Sequence, residues 1–201
     1  MKIKICGLFR REDALYVNET LPDYVGFVFA ESRRRVTPET AAELKRLLDP
    51  RIKTVGVFVN ADMDFIADLT QRGIIDAVQL HGTENEEYAR ELRGRIPAEI
   101  PIIKAFSVSC GEDIANAEKF PCDFMLLDNG KGGTGQSFSW ELLRKNMPEG
   151  TFLAGGVNTE NIAEAAELRP YCIDVSSGAE TNGIKDREKI LKLVQTVRNC
   201  K

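Results

Sequence analysis

Cys6 and Asp128 are the two side chains of this 201-residue chain whose type and setting best suit proton transfer. Cys6 falls near the end of the apolar run IKICG (Ile3–Gly7), and Asp128 closes the run FMLLD (Phe124–Asp128). Side chains alternate along a strand, so Lys4 shares a face with Cys6 while Ile3 and Ile5 share the other. A lysine on a buried strand needs a polar partner or a polar mouth, because unpaired burial is costly. An ammonium beside the thiol is expected to lower its pKa from about 8.5 and so favour a thiolate base. The plainer reading of Cys6 is a small apolar core filler. Asp128 precedes NGKGGTGQS (Asn129–Ser137), a stretch too rich in glycine for a helix and too long for a tight turn. Long loops of that kind are more often functional than short ones. Burial favours the protonated form of a carboxyl, so an enclosed Asp at this place suits general acid work. Its other reading is a cap for the loop.

Further along lie two clusters of small residues, Gly155-Gly156 and Ser176-Ser177-Gly178. Glycine lets backbone N–H groups approach an anion closely, serine adds donors, and a following helix N-terminus favours negative charge. Either cluster alone is an ordinary turn; together they fit a phosphate. Arg33-Arg34-Arg35 is a local basic run in an otherwise mixed surface. Most of it reads as a solvated turn, with one arginine placed to clamp a carboxylate. His81, the only histidine, ends the run AVQLH as a base, a donor or a satisfied rim residue. Asp174 alternates with Ser176 and faces the same way.

The elements that must carry these residues repeat. Short apolar runs begin at Ile3, Tyr24, Thr54, Ala77, Ile102, Phe124, Thr151 and Cys172, each followed by a polar segment of helical character. Continuous apolar runs are what strands buried on both faces look like, and long crossovers let them pair in parallel. Eight units of near-equal size predict a single closed (βα)8 barrel over residues 1–201, with an open doubly wound sheet as the alternative. In such a barrel the active site lies at the C-terminal ends of the strands, with phosphate commonly held after strands seven and eight. The chemical residues above sit at those ends. Helix signals fill the gaps: Thr37-Pro38 as cap and first position, Glu84 to Leu92, Thr159 to Leu168 behind Asn158, and Asp186 to Val197.

Composition narrows the classes. A barrel of this fold usually has about 250 residues, with about 200 the lower limit, so the chain is of minimal size with no room for a second domain. Hydrophobic residues make up 43% and charged residues 29%, and the net charge is −4, which does not favour a nucleic-acid partner. No signal peptide is expected, since Met1 leads almost directly into the first apolar run, and no apolar stretch approaches the length of about 20 residues that spans a membrane. Five cysteines, odd in number and without a CxxC pair, point to a reducing cytoplasm rather than a disulfide framework or zinc knuckle. With one histidine, a metalloenzyme is not expected.

The combined motifs resemble the phosphoribosylanthranilate isomerase family. KICG, GFVF before a basic SRR-R stretch, VGVFVN, VQLHG, LLD before GGTG-x-x-F-x-W, LAGGVNTENI and DVSSGAE…GIKD occur in family order from Lys4 to Asp186. The resemblance implies an Amadori rearrangement in tryptophan biosynthesis without metal or cofactor, on a small phosphorylated substrate. It implies Cys6 as general base, Asp128 as general acid, and a phosphate site at Gly155-Gly156 and Ser177-Gly178. It implies Arg35 as the arginine for the anthranilate carboxylate, the triple arginine leaving Arg34 open as the other choice. Leu8-Phe9 depart from the family's usual KICG-x-T. His81, Asp174 and Ser176 complete the expected binding set. A monomer or homodimer is expected. The rivals are a histidine-pathway phosphosugar isomerase, which would want Asp in place of Cys6 and a second phosphate site, and a non-catalytic phospholigand barrel.

Overall fold

Each apolar run becomes a parallel strand of one closed eight-stranded barrel in the computed structural model, which describes residues 1–128, 140–144 and 147–200. The strands are β1 (Lys2–Cys6), β2 (Tyr24–Val28), β3 (Lys53–Phe58), β4 (Ala77–Leu80), β5 (Ile102–Ser107), β6 (Phe124–Asp128), β7 (Thr151–Leu153) and β8 (Cys172–Val175). Lys4 pairs with Tyr24 on one side and Asp174 on the other, so β1 joins β2 to β8 and closes the ring. The helices are α1 (Arg11–Thr20), α2 (Pro38–Leu47), α3 (Met63–Gln71), α4 (Glu86–Arg93), α5 (Gly111–Ala117), α6 (Glu141–Arg144), α7 (Ile162–Glu167) and α8 (Arg187–Asn199). Asn129–Ser137, expected to form a functional loop, lies outside the described residues.

Two apolar layers follow from strand alternation. Ile3, Ile5, Val25 and Phe27 face outward and pack with the helices in the larger core. Val55, Ala77, Ile103, Leu126, Phe152 and Cys172 fill the inside of the barrel. At its floor Phe124 stacks on Tyr171 with ring centroids 4.7 Å apart, and Lys2 Nζ donates to the Tyr171 hydroxyl at 2.7 Å. The inward positions of β1, β4 and β8 then turn polar toward the mouth, as Lys4, Gln79 and Asp174. All of these are buried.

Several boundaries differ from the sequence expectation for local reasons. The fourth helix starts at Glu86, capped by Asn85, rather than at Glu84. Glu84 is instead buried, accepting from Asn60 N at 2.7 Å and Gly82 N at 2.9 Å and pairing with Lys104 at 3.0 Å. That knot ties the ends of β3, β4 and β5 together. The seventh helix starts at Ile162 because Asn158 makes a turn of its own, accepting from Glu160 N at 2.8 Å. An antiparallel hairpin, β9 (Glu180–Thr181) and β10 (Ile184–Lys185), stands between β8 and α8, where the apolar pattern marks no strand.

Candidate active site

The mouth is built on Lys4. Its ammonium is fully buried and donates to Gln79 Oε1 at 2.7 Å and to Asp174 Oδ2 at 2.9 Å. It also makes a charge and hydrogen-bond interaction with the Cys6 thiol. Burial disfavours the ammonium, yet Asp174 and Cys6 outweigh it and hold the Lys4 pKa above the usual lysine range. Lys4 is therefore charged inside the barrel.

Cys6 sits one step nearer the opening and is itself buried. Room for its sulfur comes from Gly26, its partner on β2: a Cβ at that position would lie 2.6 Å from Sγ. The sequence expectation that a neighbouring ammonium lowers the thiol pKa needs correction. Burial pushes the Cys6 thiol up, Lys4 and Lys185 pull it down, Asp174 pushes it up, and the net direction is upward. Taking a thiolate out of water costs more here than its cationic neighbours return.

Across the mouth, His81 follows β4 with one edge exposed at the rim and its Nδ1 turned to the buried Gln79, 2.9 Å from Nε2. Desolvation first, and then Lys4, hold its imidazole below the usual histidine range, although Asp128 and Asp174 pull the other way. Asp128 is half-buried at the end of β6, in register with Ser107 of β5. Asp174 has one carboxylate oxygen on Lys4; the other, Oδ1, is buried with no hydrogen-bond partner among the described residues.

After β7, Gly155 and Gly156 take φ of 90° and 70°, the left-handed region that glycine adopts without a Cβ penalty. A Cβ on Gly156 would meet nothing within 4 Å, so the space beside it is open. Gly178 bridges to Asn158, and a Cβ there would run into the Val157 carbonyl. The two clusters read from the sequence thus lie against each other. Ser176 Oγ donates to the Cys6 carbonyl at 3.4 Å, which links this corner to β1. After β8, Ala179 N and Glu180 N turn back onto Ser176 O and Ser177 O and lead into the β9–β10 hairpin, so the helix start nearest this corner is that of α7, at Ile162.

The arginines part company. Arg35 points outward, its side chain 56% exposed, and pairs with exposed Glu31. Arg34 lies inward at 20% exposure, its stem against Gly7 and its Nε and Nη2 on Glu180 at 2.6 and 2.8 Å. Cys6, His81, Asp128, Asp174 and the two small-residue clusters therefore gather around one mouth. Arg34 lies near enough to Cys6 for their charges to interact, while the Arg35 side chain turns to Glu31.

Sequence reading missed Gly26, Gln79, Glu180 and Lys185. Glu180 is buried between Arg34 and Lys185, whose Nζ lies 2.6 Å from its Oε1. Those two cations hold the Glu180 carboxyl down at about 2 despite desolvation, the largest single effect, which acts the other way. The signals existed. A glycine inside an apolar strand marks a close approach, and Asn182-Gly183 is a hairpin turn pair, with φ of 53° and 80°.

The chain as a whole is similar to known proteins. The family profile described as N-(5'phosphoribosyl)anthranilate (PRA) isomerase matches residues 3–196. The N-(5'-phosphoribosyl)anthranilate isomerase of Endomicrobium trichonymphae is 47% identical, covering 98% of each chain. A crystal structure of monomers generated from the dimeric Thermotoga maritima enzyme superposes with a TM-score of 0.84 at 36% identity over 98% of each chain. A second enzyme structure of the same TM-score, identity and coverage holds reduced 1-(o-carboxyphenylamino)-1-deoxyribulose 5-phosphate. The chain belongs to the N-(5'-phosphoribosyl)anthranilate isomerase family, and its reaction is that isomerisation in tryptophan biosynthesis.

Proposed function

We propose that the isomerisation runs as an Amadori rearrangement with Cys6 as general base and Asp128 as general acid. The supporting observation is the placement of a thiol on a buried, charged Lys4 at one side of the mouth, with Asp128 ending β6 and near enough to act on His81 from another. Asp128 protonates the furanose ring oxygen as the C1–O bond breaks, which leaves an iminium at C1. Cys6, as thiolate, removes the C2 proton, and the electron pair moves into C1=C2 to give the enolamine. A proton then adds at C1 and the C2 hydroxyl proton leaves, giving 1-(2-carboxyphenylamino)-1-deoxyribulose 5-phosphate. Each positioned proton transfer contributes roughly 10²–10⁴-fold.

In this reading Arg34, not Arg35, clamps the anthranilate carboxylate, because it is the less exposed of the two and Glu180 fixes its Nε and Nη2, leaving Nη1 to donate. Gly155, Gly156, Ser176, Ser177 and Gly178 bind the phosphate, and Asp174 Oδ1 accepts from a sugar hydroxyl. Phosphate and carboxylate contacts orient the sugar between acid and base. The barrel is the whole catalytic domain, working in the cytoplasm as a monomer or homodimer. Its cysteines are unpaired thiols, as a reducing compartment would keep them. Among the described residues no helix is long and apolar enough to cross a membrane. The test is the fluorescence decay of freshly made phosphoribosylanthranilate. It should be fast with the wild-type chain and nearly abolished in Cys6→Ser and in Asp128→Asn, both folded. Normal turnover in either variant removes that residue from the mechanism.

A further inference from the structure

Two contacts form a directed chain from the barrel interior to the mouth: Lys4 Nζ to Gln79 Oε1 at 2.7 Å, and Gln79 Nε2 to His81 Nδ1 at 2.9 Å. An ammonium has donors and no acceptor, so the Gln79 atom it meets must be the amide oxygen. The amide nitrogen then faces His81. It too only donates, so Nδ1 must offer a lone pair and carry no proton. Lys4 and Gln79 are both buried, so the direction of the chain is set by their own donors and acceptors. Asp174, 2.9 Å from Nζ, keeps the starting charge in place.

We infer that His81 is held as a neutral imidazole protonated on Nε2, which presents an N–H donor rather than a base to the substrate, with Gln79 as the positioning residue. The inference rests on the mouth being the isomerase site. Its chemical sense is twofold. His81 does not compete with Cys6 as a base, and the Nε2–H can stabilise charge that builds on a substrate oxygen. A neutral imidazole is the better electrophile where a full proton transfer is to be avoided. The charged groups facing His81 are Lys4 on β1, Lys104 on β5, Asp128 on β6 and Asp174 on β8. The two cations and desolvation outweigh the two carboxylates, in keeping with a neutral ring.

His81 is the only histidine, so long-range ¹H–¹⁵N correlation spectra of labelled protein read it without ambiguity. The expected result is the Nε2-protonated tautomer at pH 7, titrating below about 6.5. The reduced product analogue should shift the Nε2–H resonance and slow its exchange with water, leaving Nδ1 unprotonated. Gln79→Glu puts an acceptor in place of the donor, so the proton should move to Nδ1 and the titration rise by about one unit or more, with kcat falling more than KM changes. An Nδ1-protonated or cationic ring at pH 7, or an Nε2–H indifferent to the analogue, overturns the inference even if Gln79→Glu fails to fold. Wild-type turnover is measured alongside. Its absence would overturn the site reading, whereas a wrong tautomer in an active enzyme overturns this inference alone.

Discussion

Cys6 and Gly26 face each other across β1 and β2 so closely that a methyl group on Gly26 would stand 2.6 Å from the Cys6 sulfur and 3.1 Å from its Cα. The sulfur's position is thus set by an absence on the neighbouring strand. Gly26→Ala should displace the thiol and lower kcat at least tenfold. Overpacking of this kind costs about 1–3 kcal/mol, so the variant should melt lower yet still fold. Thermal denaturation and steady-state rates together check it; unchanged kcat would show that the thiol's position is not critical.

The pH dependence of kcat/KM should carry the mark of a buried thiol. Because burial pushes the Cys6 pKa up, the active thiolate is gained as pH rises, and the limb should lie above the usual thiol value of about 8.5. Lys4→Met removes the strongest downward pull and leaves Asp174 unbalanced beside the thiol, so the limb should move to still higher pH. Stability should fall with it, since breaking a buried pair costs about 3–5 kcal/mol. A limb that stayed in place in Lys4→Met would disconnect the ammonium from the base.

Strand alternation made part of this site legible. Lys4 and Cys6, or Asp174 and Ser176, share a face for any strand, because the period is two whatever the partner. The eight apolar runs likewise required a sheet buried on both faces. What alternation cannot supply is distance between residues remote in sequence. Gln79 lies 75 residues from Lys4, and Asp174 lies 170 away, so the network that fixes the Lys4 charge appears only in three dimensions. The balance on Cys6 reversed for the same reason: the ammonium was visible in the sequence, the desolvation was not. Arg34 and Arg35 sit in a loop without periodicity, and only the placement of Glu180 separates them.

That separation is measurable. Arg34→Ala should raise KM about 10- to 150-fold, the range of a charged hydrogen bond worth about 1.5–3 kcal/mol. Arg35→Ala removes an exposed pair with Glu31 and should change KM little. Equal effects, or a larger one at Arg35, would return the carboxylate to Arg35.

Glu180 should also leave a signature in acid. Its folded pKa of about 2 lies below the unfolded value of about 4.3. The carboxylate therefore binds its proton more readily in the unfolded chain. The stability it contributes is complete above about pH 4.3 and is lost as pH falls toward 2. Glu180→Gln should be less stable than wild type at pH 7, and the difference should shrink as acid is added below pH 4. A difference constant across that range would assign the loss to packing rather than to the ion pairs with Arg34 and Lys185.

Inorganic phosphate should compete with the substrate at the corner where the β7 and β8 loops meet, and two glycine variants separate binding from folding there. At Gly156 an added Cβ enters open space, and the positive φ adds strain of about 1–2 kcal/mol. Gly156→Ala should therefore fold, and it should weaken phosphate inhibition and raise KM in parallel. At Gly178 the added atom meets the Val157 carbonyl and the Asn158 backbone, so Gly178→Ala must push the two loops apart. It should lower the melting temperature more than Gly156→Ala does, and phosphate should no longer restore it. Ligand stabilisation grows with concentration over Kd, so the rise in melting temperature with added phosphate reports the affinity of each variant. If phosphate protected Gly156→Ala as well as it protects the wild-type chain, the anion would have to bind elsewhere, and the orientation of the sugar between Cys6 and Asp128 would have to be rebuilt from the carboxylate end.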